Sequence, residues 1–136
     1  MMGAEHDLRT LLACMSAEMI DGTFVFTTMA DADVPDGVTP RMMFREGEGT
    51  TLIVLKSEAE ALGLNYEFPS RMITLNIHSA LDAVGFIARI ATELAAAGMG
   101  VNPVAGFYHD HLFIPEDRGA DAMQILQKMS VAAKNL

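Results

Sequence analysis

The second half of the chain has the clearest alternation of hydrophobic and polar positions. Segment 71–78 (RMITLNIH) places Ile73, Leu75 and Ile77 on one face, which predicts a strand with that face buried. Apolar residues then recur every three or four positions up to Gly98, which predicts an amphipathic helix. Two more strands are predicted at 101–108 and 111–114, and a last helix has its inward-facing residues within 122–129.

The first half contains shorter periodic segments separated by turn-forming residues. Asp7 precedes leucines at helical spacing and is predicted to cap a short helix. Asp21-Gly22 predicts a turn, and residues 65–70, which contain Pro69, predict an irregular link. β-Branched and aromatic residues predict three strands at 23–29, 41–46 and 50–55, and the last two are predicted to form a hairpin.

The order of these elements defines the fold class. The second half is predicted to be β-α-β-β-α, which is most of a ferredoxin-like unit, and the first half α-β-β-β-α. We therefore predict an α+β protein of tandem ferredoxin-like modules, with antiparallel sheets and helices on one face. The predicted boundary near residue 70 divides the chain into 1–70 and 71–136.

Two segments have the spacing of a helix capping box. Ser57 with Glu60 opens a helix that ends at Gly63, and Ser79 with Asp82 opens the helix of the second half. A helix N-terminus exposes unpaired amides that can hold a carboxylate, and Asp82 can pair with an ammonium group. The alternative is that Ser79 and Asp82 only cap the helix.

Composition narrows the class of protein. Of 136 residues, 51% are hydrophobic and the formal net charge is −9. The nine basic residues are dispersed, which argues against binding to nucleic acid or to an anionic membrane. No apolar stretch approaches the roughly 20 residues of a membrane span, and the acidic start is unlike a signal peptide. We expect a cytoplasmic protein.

Candidate chemical groups are few. Cys14 is the single cysteine, which excludes an internal disulfide, and its apolar neighbours predict a buried position. His109 and His111 can share a strand face and bind Zn²⁺ or Ni²⁺, but no further ligands are nearby, so a turn at His109-Asp110 with ordinary packing is the alternative.

Other patterns predict no catalysis. The acidic loop 31–36 (DADVPD) lacks the spacing of a calcium site, and neither a nucleophile elbow nor a glycine-rich phosphate loop occurs. We predict neither an enzyme nor a bound metal or cofactor. Asn102 lies within an apolar strand, where a buried amide needs either a structural hydrogen bond or a ligand.

The chain resembles the ACT domain, the small-molecule-binding module of amino-acid metabolism, and more closely the small bacterial tandem-ACT proteins. The resemblance covers about Asp7 to Met129. It is carried by TLNIHSALDAVGFIARIATELAAAGMGVN and VAGFYHDHLFIP in the second half, and by FVF, FRE and TLIVL in the first. The most specific parts are HDHLFIP and the Asp82-x-Val84-Gly85 junction.

The resemblance implies a non-catalytic regulatory or sensor protein that binds a small molecule of the amino-acid class and forms a homodimer or higher oligomer. The implied ligand-binding residues are in the loop after the first strand of the second module and on the facing strand: His78, Ser79, Ala80, Leu81, Asp82, Val84, Gly85, Asn102 and Val104. Ser79-Ala80 stands where the family often has a loop proline. The alternative function is a protein–protein interaction or assembly module without a small-molecule ligand.

Overall fold

The computed structural model describes residues 3–30 and 34–136. Asp31 and Asp33 of the predicted acidic loop lie outside these residues. The described part contains four α-helices, six strands and a short 3-10 turn at Glu116–Arg118. The helices are α1 Leu8–Cys14, α2 Lys56–Ala61, α3 Phe86–Ala96 and α4 Gly119–Lys134. The strands are β1 Ala17–Met29, β2 Met42–Arg45, β3 Thr50–Leu55, β4 Glu67–Leu75, β5 Asn102–Ala105 and β6 Asp110–Pro115.

The residues group into two compact units. The larger unit comprises Met1–Ile20 with Arg71–Leu136, and the smaller comprises Asp21–Ser70. Helix α1 therefore belongs to the same compact unit as α3 and α4, although the sequence predicts it as part of the first half. The division into modules 1–70 and 71–136 stays a prediction.

In the smaller unit, β3 lies between β2 and β1 and pairs antiparallel with both. Val25 of β1 faces Val54 of β3 across the ladder, and both are fully buried. They form a small core with Leu52 and with Ala59 of α2. The hairpin predicted from residues 41–55 is therefore present, and its turn contains Gly49 at φ +155°.

Helix α2 begins two residues earlier than the predicted capping box implies, with Leu55 instead of Ser57 as its N-cap. The backbone amide of Leu55 donates to Glu58 Oε1 at 3.1 Å, so Glu58 and not Glu60 reaches back to the start of the helix. Ser57 is exposed within the helix, and Glu60 accepts a hydrogen bond from the Tyr66 hydroxyl. The predicted box at Ser57 is wrong, because β3 continues into the helix without a loop for Ser57 to cap.

The larger unit packs its helices on one face of its sheet. Alternate residues of the strands, Ile73 and Leu75 of β4 and Leu112 and Ile114 of β6, are fully buried together with helical side chains. The helical members of this core include Leu11, Leu12, Phe86, Ile90, Leu94, Ala122 and Leu126. Strand β5 pairs antiparallel with β6 and has no second neighbour in the strand order, so it is an edge strand, a position that tolerates Pro103.

Two predicted breaks in the strands are wrong. Strand β1 runs straight through Asp21-Gly22, because Gly22 adopts φ +104° within the strand instead of turning the chain. Strand β4 already begins at Glu67, so Pro69 lies inside it next to Phe68, whose φ of +56° marks a local irregularity. At its other end β4 stops at Leu75, three residues earlier than predicted.

Cys14 is exposed, which contradicts the predicted buried position. Helix α1 buries Leu11 and Leu12, and Cys14 lies roughly 200° around the helix from Leu12. Leu11 lies only about 60° around the helix from Cys14, but Cys14 is the last residue of α1.

The N-cap of α1 generates a test of acid stability. Asp7 accepts from the backbone amide and the hydroxyl of Thr10 at 2.9 and 2.8 Å, and these two bonds lower the pKa of Asp7 below its ordinary value of 3.8. A lowered folded-state pKa means that the carboxylate stabilises the fold above the ordinary value, and that this contribution is lost as pH falls through the lowered pKa. We expect Asp7→Ala to lower the unfolding temperature at neutral pH, with a difference from the wild-type chain that shrinks below pH 3.8.

Thermal unfolding followed by circular dichroism over this pH range measures the effect. Asp7→Asn is the matched control, because its amide oxygen still caps the helix but does not titrate. A pH-independent difference between the wild-type chain and Asp7→Ala would contradict the assignment of Asp7 as a charged cap.

Candidate functional site

The segment between β4 and α3 forms a loop of ten residues, 76–85. Helix α3 begins only at Phe86, with Gly85 as its N-cap. Ser79 and Asp82 are therefore too far from the helix start to cap it, and the predicted capping box is wrong. The amide of Ala83 donates to the carbonyl of Ala80 at 3.0 Å, which forms a turn within the loop. Because the loop is longer than predicted, the side chains of Ser79 and Asp82 are available for contacts other than capping.

A cavity of about 230 Å³ opens between this loop, the first turn of α3 and the hairpin of β5 and β6. Its walls combine small aliphatic side chains with one carboxyl group. The lining residues are Ser79, Ala80, Leu81, Ala83, Gly85, Phe86, Ile87, Ala88, Ala105 and Asp110. Because it contains both polar and apolar walls, the cavity is a candidate site for a small polar ligand.

One wall is the N-terminal end of α3. Gly85 has φ +93°, a left-handed conformation that a residue with a side chain adopts only with strain. The first bond of the helix is made by Arg89, whose amide donates to Gly85 at 2.9 Å. The amides of Phe86, Ile87 and Ala88 precede this bond and have no carbonyl partner within the helix. Since no side chain caps α3 either, these amides and the helix dipole favour an anionic group.

The opposite wall carries Asp110, the first residue of β6. Its side chain is buried, with the residue 8% exposed, and its Oδ2 accepts a hydrogen bond from Ser79 Oγ at 2.9 Å. The sequence predicts a turn at His109-Asp110, but β6 already begins at Asp110. The available signal was the apolar run LFI directly after HDH, which places Asp110 at the buried end of a strand.

Four of the nine residues predicted from the family resemblance line the cavity: Ser79, Ala80, Leu81 and Gly85. Asp82 is directed elsewhere, since its Oδ1 lies 2.9 Å from His6 Nε2 and both side chains are exposed. Val84 is 84% exposed. Their role as ligand contacts stays a prediction.

The remaining predicted residues lie outside the cavity lining. The ring of His78 packs against Tyr108 and Phe107, with centroid distances of 5.2 and 6.3 Å. Asn102 and Val104 belong to β5, opposite Phe113 and His111. Asn102 is exposed, so its predicted burial is wrong, because β5 is an edge strand with only one neighbour.

The histidines near Asp110 have separate contacts. His109 Nδ1 lies 3.3 Å from the carbonyl of Ile77, and His111 Nδ1 lies 3.0 Å from Thr74 Oγ1. Within residues 3–30 and 34–136, no three His, Cys, Asp or Glu side chains are arranged to hold a metal ion. In the same part of the chain, no helix has the length and apolar character needed to cross a membrane.

The family models agree with this architecture. Two models, both described as ACT domain, match residues 3–71 and 67–128, so their shared residues lie at the start of β4. The chain belongs to the ACT domain family. No curated protein matches the sequence.

Solved structures give the same fold. A protein of unknown function from Vibrio cholerae, described as a possible transport protein, has 38% identity and a TM-score of 0.82, with 90% of this chain and 95% of that chain covered. A protein from Agrobacterium tumefaciens has 15% identity and a TM-score of 0.70, with 85% and 89% covered. The regulatory subunit of aspartate kinase from Thermus thermophilus, in its ligand-free form, has 11% identity and a TM-score of 0.62, with 86% and 98% covered.

The pairing of Ser79 with Asp110 predicts a measurable contribution to stability. Ser79→Ala leaves the Asp110 carboxylate buried without this donor, which we expect to reduce the free energy of unfolding by about 1–3 kcal/mol. Urea unfolding measures the change. Ser57→Ala is the matched control, because Ser57 is exposed. This substitution should change the free energy of unfolding by no more than about 0.5 kcal/mol. If Ser79→Ala and Ser57→Ala lowered the free energy of unfolding equally, the hydrogen bond between Ser79 and Asp110 would make no measurable contribution to stability.

Proposed function

We propose that this chain is a non-catalytic regulatory or sensor protein that binds a small amino acid in the cavity at the start of α3. The observation that carries the proposal is the pairing of two walls in one cavity. The cavity is lined by Phe86, Ile87 and Ala88, whose amides have no carbonyl partner within the helix, and also by the buried Asp110. An α-amino acid carries the two groups that these walls would recognise.

The ligand carboxylate is proposed to bind at the amides of α3. Unpaired amides at a helix N-terminus and the positive end of the helix dipole both favour a negative group. The anionic end of the ligand would therefore need no basic side chain, and the lining residues include none.

The ligand ammonium is proposed to pair with Asp110. A charge-assisted hydrogen bond to a buried carboxylate is stronger than a neutral one, because water does not screen it. Ser79 supplies one donor to Oδ2 and keeps this oxygen in place. A ligand with a carboxylate but no ammonium would not pair with Asp110 and would bind more weakly.

The size and lining of the cavity favour a small aliphatic side chain on the ligand. At about 230 Å³ the cavity is below the range of about 300–1,000 Å³ that is usual for drug-sized ligands. The walls near the polar groups consist of Ala80, Leu81, Ala83, Ile87 and Ala105. None of these can pair a charged or strongly polar side chain, so alanine-like or serine-like amino acids fit best.

The comparisons support a regulatory role of the same kind. The Thermus thermophilus relative in fold is a regulatory subunit, crystallised without ligand, and the ACT family match covers nearly the whole chain. The Vibrio cholerae relative has no stated ligand. We further propose that the chain acts in the cytoplasm as a homodimer or higher oligomer.

A thermal-shift screen against the twenty amino acids tests the proposed function. A ligand at a hundred times its Kd adds about 2.7 kcal/mol of stability, which raises the unfolding temperature measurably. We expect a small aliphatic amino acid to raise it, and the matching 2-oxo acid and the decarboxylated amine to have little effect, because each lacks one of the two recognised groups.

Variants then connect the shift to the cavity. Asp110→Asn should abolish the ligand-induced shift, whereas Asp117→Asn, which removes an exposed carboxylate of equal charge, should retain it. A uniformly flat screen would overturn the proposal. It would favour the alternative of a protein-interaction module, for which exposed Leu81, Val84 and Phe107 offer apolar contacts.

A further inference from the structure

Residues 3–8, referred to below as the N-terminal strap, run beside the loop that forms the cavity. Glu5 and Ser79 form a parallel bridge, with two backbone hydrogen bonds of 2.8 Å. The amide of Glu5 donates to the carbonyl of His78, and the amide of Ala80 donates to the carbonyl of Glu5. The strap therefore holds the loop on both sides of Ser79.

Two further contacts connect the strap to the loop. His6 Nε2 lies 2.9 Å from Asp82 Oδ1, although both side chains are largely exposed, so this ion pair contributes little. A methyl group of Leu8 lies 3.5 Å from the position that a Cβ on Gly85 would occupy. The strap thus contacts the loop near its start, in its middle and at the helix junction.

The loop has few hydrogen bonds of its own to replace these contacts. Within residues 76–85 the backbone bonds are short-range: Ser79 donates to Ile77, and Ala83 donates to Ala80. Only the start of the loop has further contacts with other segments among these bonds, since the amide of Asn76 donates to Ser16 and the carbonyl of Ile77 lies 3.3 Å from His109 Nδ1. Ser79 must also present its hydroxyl to Asp110. A segment with so few internal bonds is expected to open locally unless another segment fixes it.

We propose that the N-terminal strap positions the cavity-forming loop, so that release of the strap opens the cavity. By linkage, occupation of the cavity and attachment of the strap then stabilise each other. The linkage between ligand and strap rests on the proposed function, whereas the positioning of the loop by the strap does not. The strap would give any partner that captures residues 3–7 a means of lowering the affinity of the site.

The test compares two substitutions at one position. Glu5→Pro removes the amide that donates to His78, whereas Glu5→Ala keeps both backbone bonds and is the matched control. Amide hydrogen exchange, measured by NMR without ligand, reports opening of the loop at Ala83. We expect exchange at Ala83 to be about tenfold faster in Glu5→Pro than in Glu5→Ala, because about one net hydrogen bond or more is lost.

The exchange rate of the Leu52 amide in β3 serves as the internal reference, because it reports the stability of the smaller unit. Unchanged exchange at Ala83 in Glu5→Pro would overturn the positioning role. If Glu5→Pro does not fold, the wild-type chain decides: a strap and loop that open together give Glu5 and Ala83 the same opening free energy and the same dependence on denaturant. Independent opening of the two amides would refute the proposal.

The affinity test uses L-alanine as the probe. Its Kd should be about tenfold higher in Glu5→Pro than in Glu5→Ala, with His6→Ala within about twofold of the wild-type value because that ion pair is exposed. Equal affinities in Glu5→Pro and Glu5→Ala would refute the link between strap and site. If L-alanine does not bind to the wild-type chain, that result counts against the proposed ligand, and the exchange measurement alone decides the role of the strap.

Discussion

A buried carboxylate needs a hydrogen-bond donor, and this requirement at Asp110 organises the end of the larger unit. Strand β6 carries its apolar residues into the core directly after Asp110, so the carboxyl group cannot move to solvent without displacing the strand. Ser79 supplies the donor, and Ser79 lies on a loop that regular secondary structure does not support. The parallel bridge to Glu5 provides that support. One polar requirement thus connects β6, the loop and the N-terminal segment.

The elements with strong periodicity were predictable from the sequence, because burial of one face determines them. The pattern around Ile73 and Leu75, the hairpin of residues 41–55 and the cap at Asp7 all correspond to observed elements. The ferredoxin-like arrangement with helices on one face follows from the same patterns, and the family matches confirm it. In these segments local propensity and tertiary packing favour the same conformation.

The errors occurred where local signals and tertiary contacts disagree. A serine followed three residues later by an acidic residue has the spacing of a capping box, but Ser79 donates to Asp110, and at α2 it is Glu58 that accepts from the amide of Leu55. Glycine at position 22 has the signature of a turn, yet its positive φ is accommodated within β1. Asp110 was unpredictable as a site residue, because its donor is 31 positions away in the sequence. Contacts of this range leave no periodic trace in the sequence.

The distribution of unfavourable local features is itself an argument for function. Helix α3 has no side-chain cap, Gly85 has a conformation that lowers helical propensity, and Asp110 is a carboxylate in a buried position. A side-chain cap at position 85 would require a residue with a Cβ at that positive φ, which costs strain, and the buried carboxyl group of Asp110 requires the donor that Ser79 supplies. All three features line one cavity, although α4 also has no side-chain cap and Phe68 of β4 also has a positive φ. Features that reduce stability persist together where a ligand makes use of them, so their coincidence favours a binding site over a defect of folding.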